Sequence, residues 1–148
     1  MTEDAAGAEV TATDPTHYPW DLPKYNKTAK FFAALKEGGI ETTKCKTCGT
    51  VQWPPRSICS SCLSEDLDWV ELTQNGELVA FSQANVGLED FEKAPVTVAV
   101  VRLDDGLRLL TRIEGAPFDS LRSGLKVRLS KASLVKGKPY WTFSVITF

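Results

Sequence analysis

All four cysteines of the chain fall between Cys45 and Cys62, as two Cys-x2-Cys pairs, Cys45/Cys48 and Cys59/Cys62, separated by ten residues. A Cys-x2-Cys turn aims two sulfurs at one point, and a second turn packed against it completes a tetrahedron, which is the spacing of a four-thiolate zinc site. Gly49, directly after the first pair, permits the tight turn because glycine accepts positive φ without steric cost. Two disulfides would use the same residues but belong to an exported chain. The N-terminus reads as neither a basic n-region nor an apolar h-region. In a cytoplasmic chain, the expected location, thiols stay reduced and paired cysteines more often bind metal. A single iron or an iron–sulfur cluster would take the same ligands, so the spacing implies zinc without reading it directly. With four protein ligands no coordination position is open, so the expected Zn2+ is structural and not catalytic.

A chain of 148 residues holds one ordinary domain, or a small metal module plus a compact one. Its 43% apolar and 24% charged residues are those of a globular protein. No apolar run approaches the ~20 residues that span a bilayer, so no membrane role is expected. Four thiolates and one divalent cation take the formal charge from −2 to −4. That balance weighs against nucleic acid, which calls for clustered positive charge. The acid is concentrated early: Glu3, Asp4, Glu9, Asp14 and Asp21 precede the first Lys or Arg.

Four segments are expected: a disordered acidic tail over 1–17, a docking segment and helix over 18–39, a zinc ribbon over 40–74, and a β-barrel over 75–148. In the second, Tyr18 and Trp20 lie among the prolines of 18–23 and suit an extended segment resting on a surface, of this chain or of a partner, with Tyr25 a further docking candidate. The helix is expected from an Asn26 cap to a stop at Gly38-Gly39. Thr28, Phe31, Phe32 and Leu35 form its apolar stripe. A zinc ribbon offers little core, so either the second domain or another protein must cover that stripe. The expectation leans to another protein, with Phe31, Phe32, Leu35 and the nearby Trp53 as docking residues. Ile40–Lys44 and Leu67–Leu72 read as strands flanking the metal site, joined by the stiff Trp53-Pro54-Pro55-Arg56 crossing. Beyond Gly76, strands are expected at 77–85, 96–103, 107–113, 126–132 and 140–147. Asp104-Asp105-Gly106 marks a tight hairpin between the second and third. Val96–Val101 is nearly all apolar, as a central strand would be. The fold class is therefore mainly β: an N-terminal helix, a rubredoxin-like zinc ribbon and a five-stranded OB-type barrel. Strand periodicity alone leaves a small sandwich open.

A helix leading into Cys-x2-Cys-Gly, then Trp-Pro-Pro-Arg, then Cys-x2-Cys, then Asn75-Gly76-Glu77-Leu78, then Val-Arg-Leu-Asp-Asp-Gly at 101–106 resembles the DUF35 family over about residues 24–148. The resemblance implies a zinc ribbon plus OB-fold protein associated with acyl-CoA. It also implies a non-catalytic subunit assembling with thiolases, lipid-transfer-type aldolases or MaoC-like hydratases as a hetero-oligomer.

The residues agree that the chemistry lies elsewhere. Thioester carbon–carbon chemistry needs a nucleophilic cysteine or a positioned base. Every cysteine is assigned to the metal, and the only histidine, His17, sits in the acidic tail. Asp104 and Asp105 suit a turn. No catalytic residue is assigned, and the chain is expected to be an obligatory subunit of an acyl-CoA enzyme rather than an enzyme alone. Arg56, Lys131, Lys136 and Lys138 are the candidate acyl-CoA contacts, with Tyr140 and Trp141 beside them, Arg56 foremost because its backbone is pinned beside the second cysteine pair. A single-stranded nucleic-acid-binding OB module is the alternative reading.

Overall fold

The computed structural model describes residues 27–86, 93–135 and 138–146. The expected tail, Tyr18, Trp20, Tyr25, Asn26 and Lys136 lie outside them. Lys138 is described by its backbone alone.

One helix, α1 (Ala29–Lys36), is followed by eight strands. They are β1 (Glu41–Cys45), β2 (Val51–Gln52), β3 (Leu67–Glu71), β4 (Asn75–Ala84), β5 (Val96–Leu103), β6 (Arg108–Glu114), β7 (Lys126–Val135) and β8 (Lys138–Val145). The first three make a small antiparallel sheet in the order β2-β1-β3. Thr43 faces Gln52 on one side and Trp69 on the other. The other five close a barrel in the order β4-β5-β6-β8-β7. Every pairing in it is antiparallel except β6 with β8, where Arg112 pairs Thr142 and Glu114 pairs Ser144. That one parallel closure makes the meander an OB-type barrel and removes the open edges a sandwich would keep. Irregularities between Leu78 and Ala80 and between Leu129 and Lys131 bend the two longest strands; such bulges supply the curvature that closure demands.

The Asp104-Asp105-Gly106 hairpin forms as expected. The Leu103 amide donates to the Leu107 carbonyl at 2.8 Å, the Leu107 amide to Asp105 Oδ1 at 3.2 Å, and Gly106 takes φ +93°. Gly76 has a different reason to be glycine: a Cβ there would lie 2.4 Å from the Arg102 carbonyl oxygen on the neighbouring strand.

Three expectations change. The helix starts later, at Ala29, with Thr28 in the N-cap position rather than in the apolar stripe. Its apolar face is not left for a partner. Phe31 and Phe32 are each 7% exposed and Leu35 is fully buried, in one core with Ile40, Leu72 and the barrel residues Leu78, Val101 and Phe143. The assignment of Phe31, Phe32 and Leu35 to docking is therefore corrected. A short helix gains its stability from packing, and here it packs on β7, β8 and β1 of its own chain. β5 also differs in detail. Ala99, Val101 and Leu103 point inward and are buried, while Val98 and Val100 on the outer face are only half-buried. In a barrel a strand paired on both edges still has just one covered face.

Candidate metal centre and the ribbon–barrel junction

The two cysteine pairs fold into near-identical loops. In the first, the Cys45 amide donates to the Thr50 carbonyl at 2.9 Å and the Gly49 amide to the Cys45 carbonyl at 3.0 Å. In the second, the Cys59 amide donates to the Ser64 carbonyl at 2.9 Å and the Leu63 amide to the Cys59 carbonyl at 3.1 Å. The residue after each pair takes left-handed φ: Gly49 at +75° and Leu63 at +61°. Hydroxyl pairs cross-link the loops, Thr47 with Ser64 at 3.0 Å and Thr50 with Ser61 at 3.4 Å.

The four sulfurs converge within 4.8 Å of one another. Cys45 Sγ and Cys62 Sγ are 3.6 Å apart, as are those of Cys48 and Cys59. A tetrahedron with Zn–S legs of ~2.3 Å has edges of ~3.8 Å, so the donor set and its spacing fit structural Zn2+. The thiol acidities show why a cation belongs there. The Thr50 hydroxyl, 3.1 Å from Cys48 Sγ, brings that thiol down to about 6. The Cys48 backbone amide holds Cys45 below its usual range. The Ser64 amide draws Cys62 down, but Cys45, burial and the other two sulfurs outweigh it and push Cys62 up to about 12. Four thiolates this close repel, and a divalent ion lets all four ionise together.

The centre is tied to the ribbon sheet by two residues that spacing did not single out. Gln52 is 5% exposed. Its amide nitrogen donates to Thr43 Oγ1 at 3.1 Å and to the Ile58 carbonyl at 3.3 Å, and its Oε1 accepts from the Ser60 amide at 3.0 Å. Thr43 Oγ1 in turn accepts from the Arg56 amide and donates to the Arg56 carbonyl, both at 3.1 Å. Together they fix the crossing and the second cysteine loop to β1 and β2. The available signal was the Val51-Gln52-Trp53 alternation, which puts a polar side chain on the covered face. Trp53 then reaches the barrel edge-to-face, 5.8 Å from Phe31 and 5.6 Å from Trp141. Trp141 is fixed by donating Nε1–H to the Leu110 carbonyl at 3.0 Å. Helix, ribbon and barrel thus meet in one aromatic cluster.

Arg56 is exposed and lines a cleft of about 310 Å³ with Trp53, Ser60 and Arg108, between ribbon and barrel. Arg108 was not expected there. Lys131 lines a different cleft with Gly38, Gln74 and Ser130. Its ammonium lies 5.5 Å from the Tyr140 ring, which Arg112 approaches at 5.0 Å. Tyr140 is itself 8% exposed and donates to Glu114 Oε1 at 3.2 Å, so it is held by the barrel. Arg56 and Lys131 are therefore not brought together. Among the described residues no helix is long and apolar enough to cross a membrane.

Comparison with known proteins matches both parts. The family model described as the ChsH2 rubredoxin-like zinc ribbon domain matches residues 32–68, and that for the ChsH2 C-terminal OB-fold domain matches residues 69–130. A DUF35 domain-containing scaffold protein of Methanocaldococcus jannaschii is 33% identical over 57% of this chain and 61% of its own. The benzoylsuccinyl-CoA thiolase subunit BbsA of Thauera aromatica is 35% identical over 50% of this chain and 51% of its own. The chain thus spans between half and two thirds of these relatives' lengths. The solved structure described as Ltp2-ChsH2(DUF35) aldolase superposes with a TM-score of 0.70 and 29% identity, covering 80% of this chain and 93% of that one. With its ribbon and its barrel both matched, this chain belongs to the DUF35 family of zinc-ribbon and OB-fold proteins.

Proposed function

We propose that this chain is a non-catalytic subunit that assembles with a thiolase-type enzyme, a thiolase or a lipid-transfer-type aldolase, and helps it hold acyl-CoA or order its active site. The observation that carries this reading is the closed tetrathiolate centre. It takes every thiol of the chain, so the nucleophile that thioester chemistry calls for comes from the other subunit. The thiolase subunit BbsA and the Ltp2-ChsH2 aldolase support it as relatives. The Arg56/Arg108 cleft suits the phosphates of a CoA, with Trp53 in its lining for the adenine. Lys131, Lys136 and Lys138 stand as a second set of candidate acyl-CoA contacts, and Tyr18, Trp20, Tyr25 and the half-buried Trp53 as the candidate partner-docking residues.

The test is copurification of the tagged chain from its native host, with the recovered proteins identified by mass spectrometry. A stoichiometric thiolase-fold subunit is expected; recovery of the chain alone would refute the assignment. Calorimetry on the assembled complex then reads the cleft. Arg56→Ala with Arg108→Ala is expected to weaken CoA binding about tenfold or more, since a charge-assisted hydrogen bond contributes ~1.5–3 kcal/mol.

A further inference from the structure

Leu63 stands in a conformation that leucine rarely adopts. The equivalent position of the first cysteine loop is Gly49, where φ +75° is free of steric cost, whereas Leu63 holds φ +61° with its side chain 76% exposed. A branched side chain in left-handed backbone that stands mostly exposed among the described residues gains little packing to offset that strain. Ile58, on the other flank of the same loop, is also exposed, at 44%. Of the four large apolar residues exposed among those described, these two bracket the second cysteine pair. The loop is also anionic. Residues 57–66 carry Glu65 and Asp66 and no Lys or Arg, and the tetrathiolate centre with its divalent ion adds two further negative charges. Lys46 offsets part of this, 3.4 Å from Asp66 and 3.4 Å from Asp68.

We propose that Leu63, flanked by Ile58, is an anchor by which the metal loop docks into an apolar pocket rimmed by Lys and Arg on the partner subunit. This rests on the thiolase-type partner proposed above and names the surface that meets it. The metal then has a purpose beyond holding the ribbon together: it stiffens a short loop so that one leucine is presented already ordered, lowering the entropic cost of association. Apolar contact supplies affinity, and the charge around it supplies orientation and salt dependence.

The test compares Leu63→Gly, Leu63→Asn and Leu63→Met in the full-length, zinc-loaded chain, titrated against the copurified thiolase-type subunit. Gly and Asn both tolerate left-handed φ, so neither adds backbone strain. Each is expected to leave the melting temperature of the isolated chain unchanged or higher, to keep its zinc, and to weaken assembly about tenfold to a hundredfold, the range for losing one buried leucine. Leu63→Met is expected to restore assembly to within a few-fold. Assembly unchanged by Leu63→Gly and Leu63→Asn would overturn the anchor while leaving the subunit assignment standing. A lowered melting temperature of the isolated chain would overturn it too, by showing that Leu63 is covered by its own chain. A wild-type dimer lost in the variants would do so in favour of a second copy. Failure of the wild-type chain to bind any thiolase-type subunit would refute the function itself and the anchor with it.

Discussion

At the scale of single residues, the centre depends on groups that never touch the metal. Gln52 ties the second cysteine loop to β1 through three buried or half-buried hydrogen bonds. Gln52→Ala strands the Ser60 amide and the Ile58 carbonyl, and is expected to cost about 2–3 kcal/mol in chemical denaturation and to speed zinc loss to a chelator. Gly76→Ala has no room to relax against the Arg102 backbone and is expected to cost about 3 kcal/mol or more in the same measurement. The thiols give a pH dependence with a definite sign. Cys48, brought from 9.0 to about 6 in the metal-free fold, contributes stability that is fully present above 9.0 and lost as pH falls through about 6. Cys62, pushed up to about 12, is protonated throughout that range and must release its proton when metal binds. Zinc uptake at neutral pH is therefore expected to release protons, seen as a buffer-dependent binding enthalpy, and affinity is expected to fall as pH falls. The cysteines were legible in the sequence because ligand type and spacing are local properties. Gln52 was not, because its burial depends on Thr43, Ile58 and Ser60, brought to it by folding.

At the scale of elements, α1 shows what periodicity can and cannot say. The stripe of Phe31, Phe32 and Leu35 identified an apolar face correctly, yet a stripe does not name what covers it. A ribbon alone could not have done so, and the barrel does, through β7 and β8. Phe32→Ala is expected to destabilise the isolated chain by about 3–5 kcal/mol in chemical denaturation, the range for a large ring removed from a core. A helix waiting for a partner would show almost no change. The ribbon behaves differently, because its three short strands carry little core of their own. Cys45→Ser, or removal of the metal, is expected to loosen residues 41–71 while the barrel stays folded. Amide exchange would show this as lost protection on β1 and β3 and retained protection on β5 and β6.

At the scale of the whole molecule, the barrel strands could be read from alternation and from the Asp104-Asp105-Gly106 turn. Closure could not. The parallel pairing of β6 with β8 joins segments separated by β7, and no local pattern encodes it. The union of the parts was equally hidden, since the Phe31, Trp53 and Trp141 rings that join helix, ribbon and barrel come from three distant stretches. The crossing beside the second cysteine pair carries Trp53, and Trp53 packs edge-to-face on Phe31 of the helix and Trp141 of the barrel. The proposed subunit role then turns on whether the partner's chemistry depends on this clamped shape. The most direct measurement is acyl-CoA turnover by the copurified thiolase-type subunit alone, with the zinc-loaded chain, and with the Cys45→Ser chain. Turnover is expected only with the zinc-loaded chain. Full turnover by the partner alone, or equal turnover with Cys45→Ser, would contradict a metal-clamped subunit that the enzyme requires.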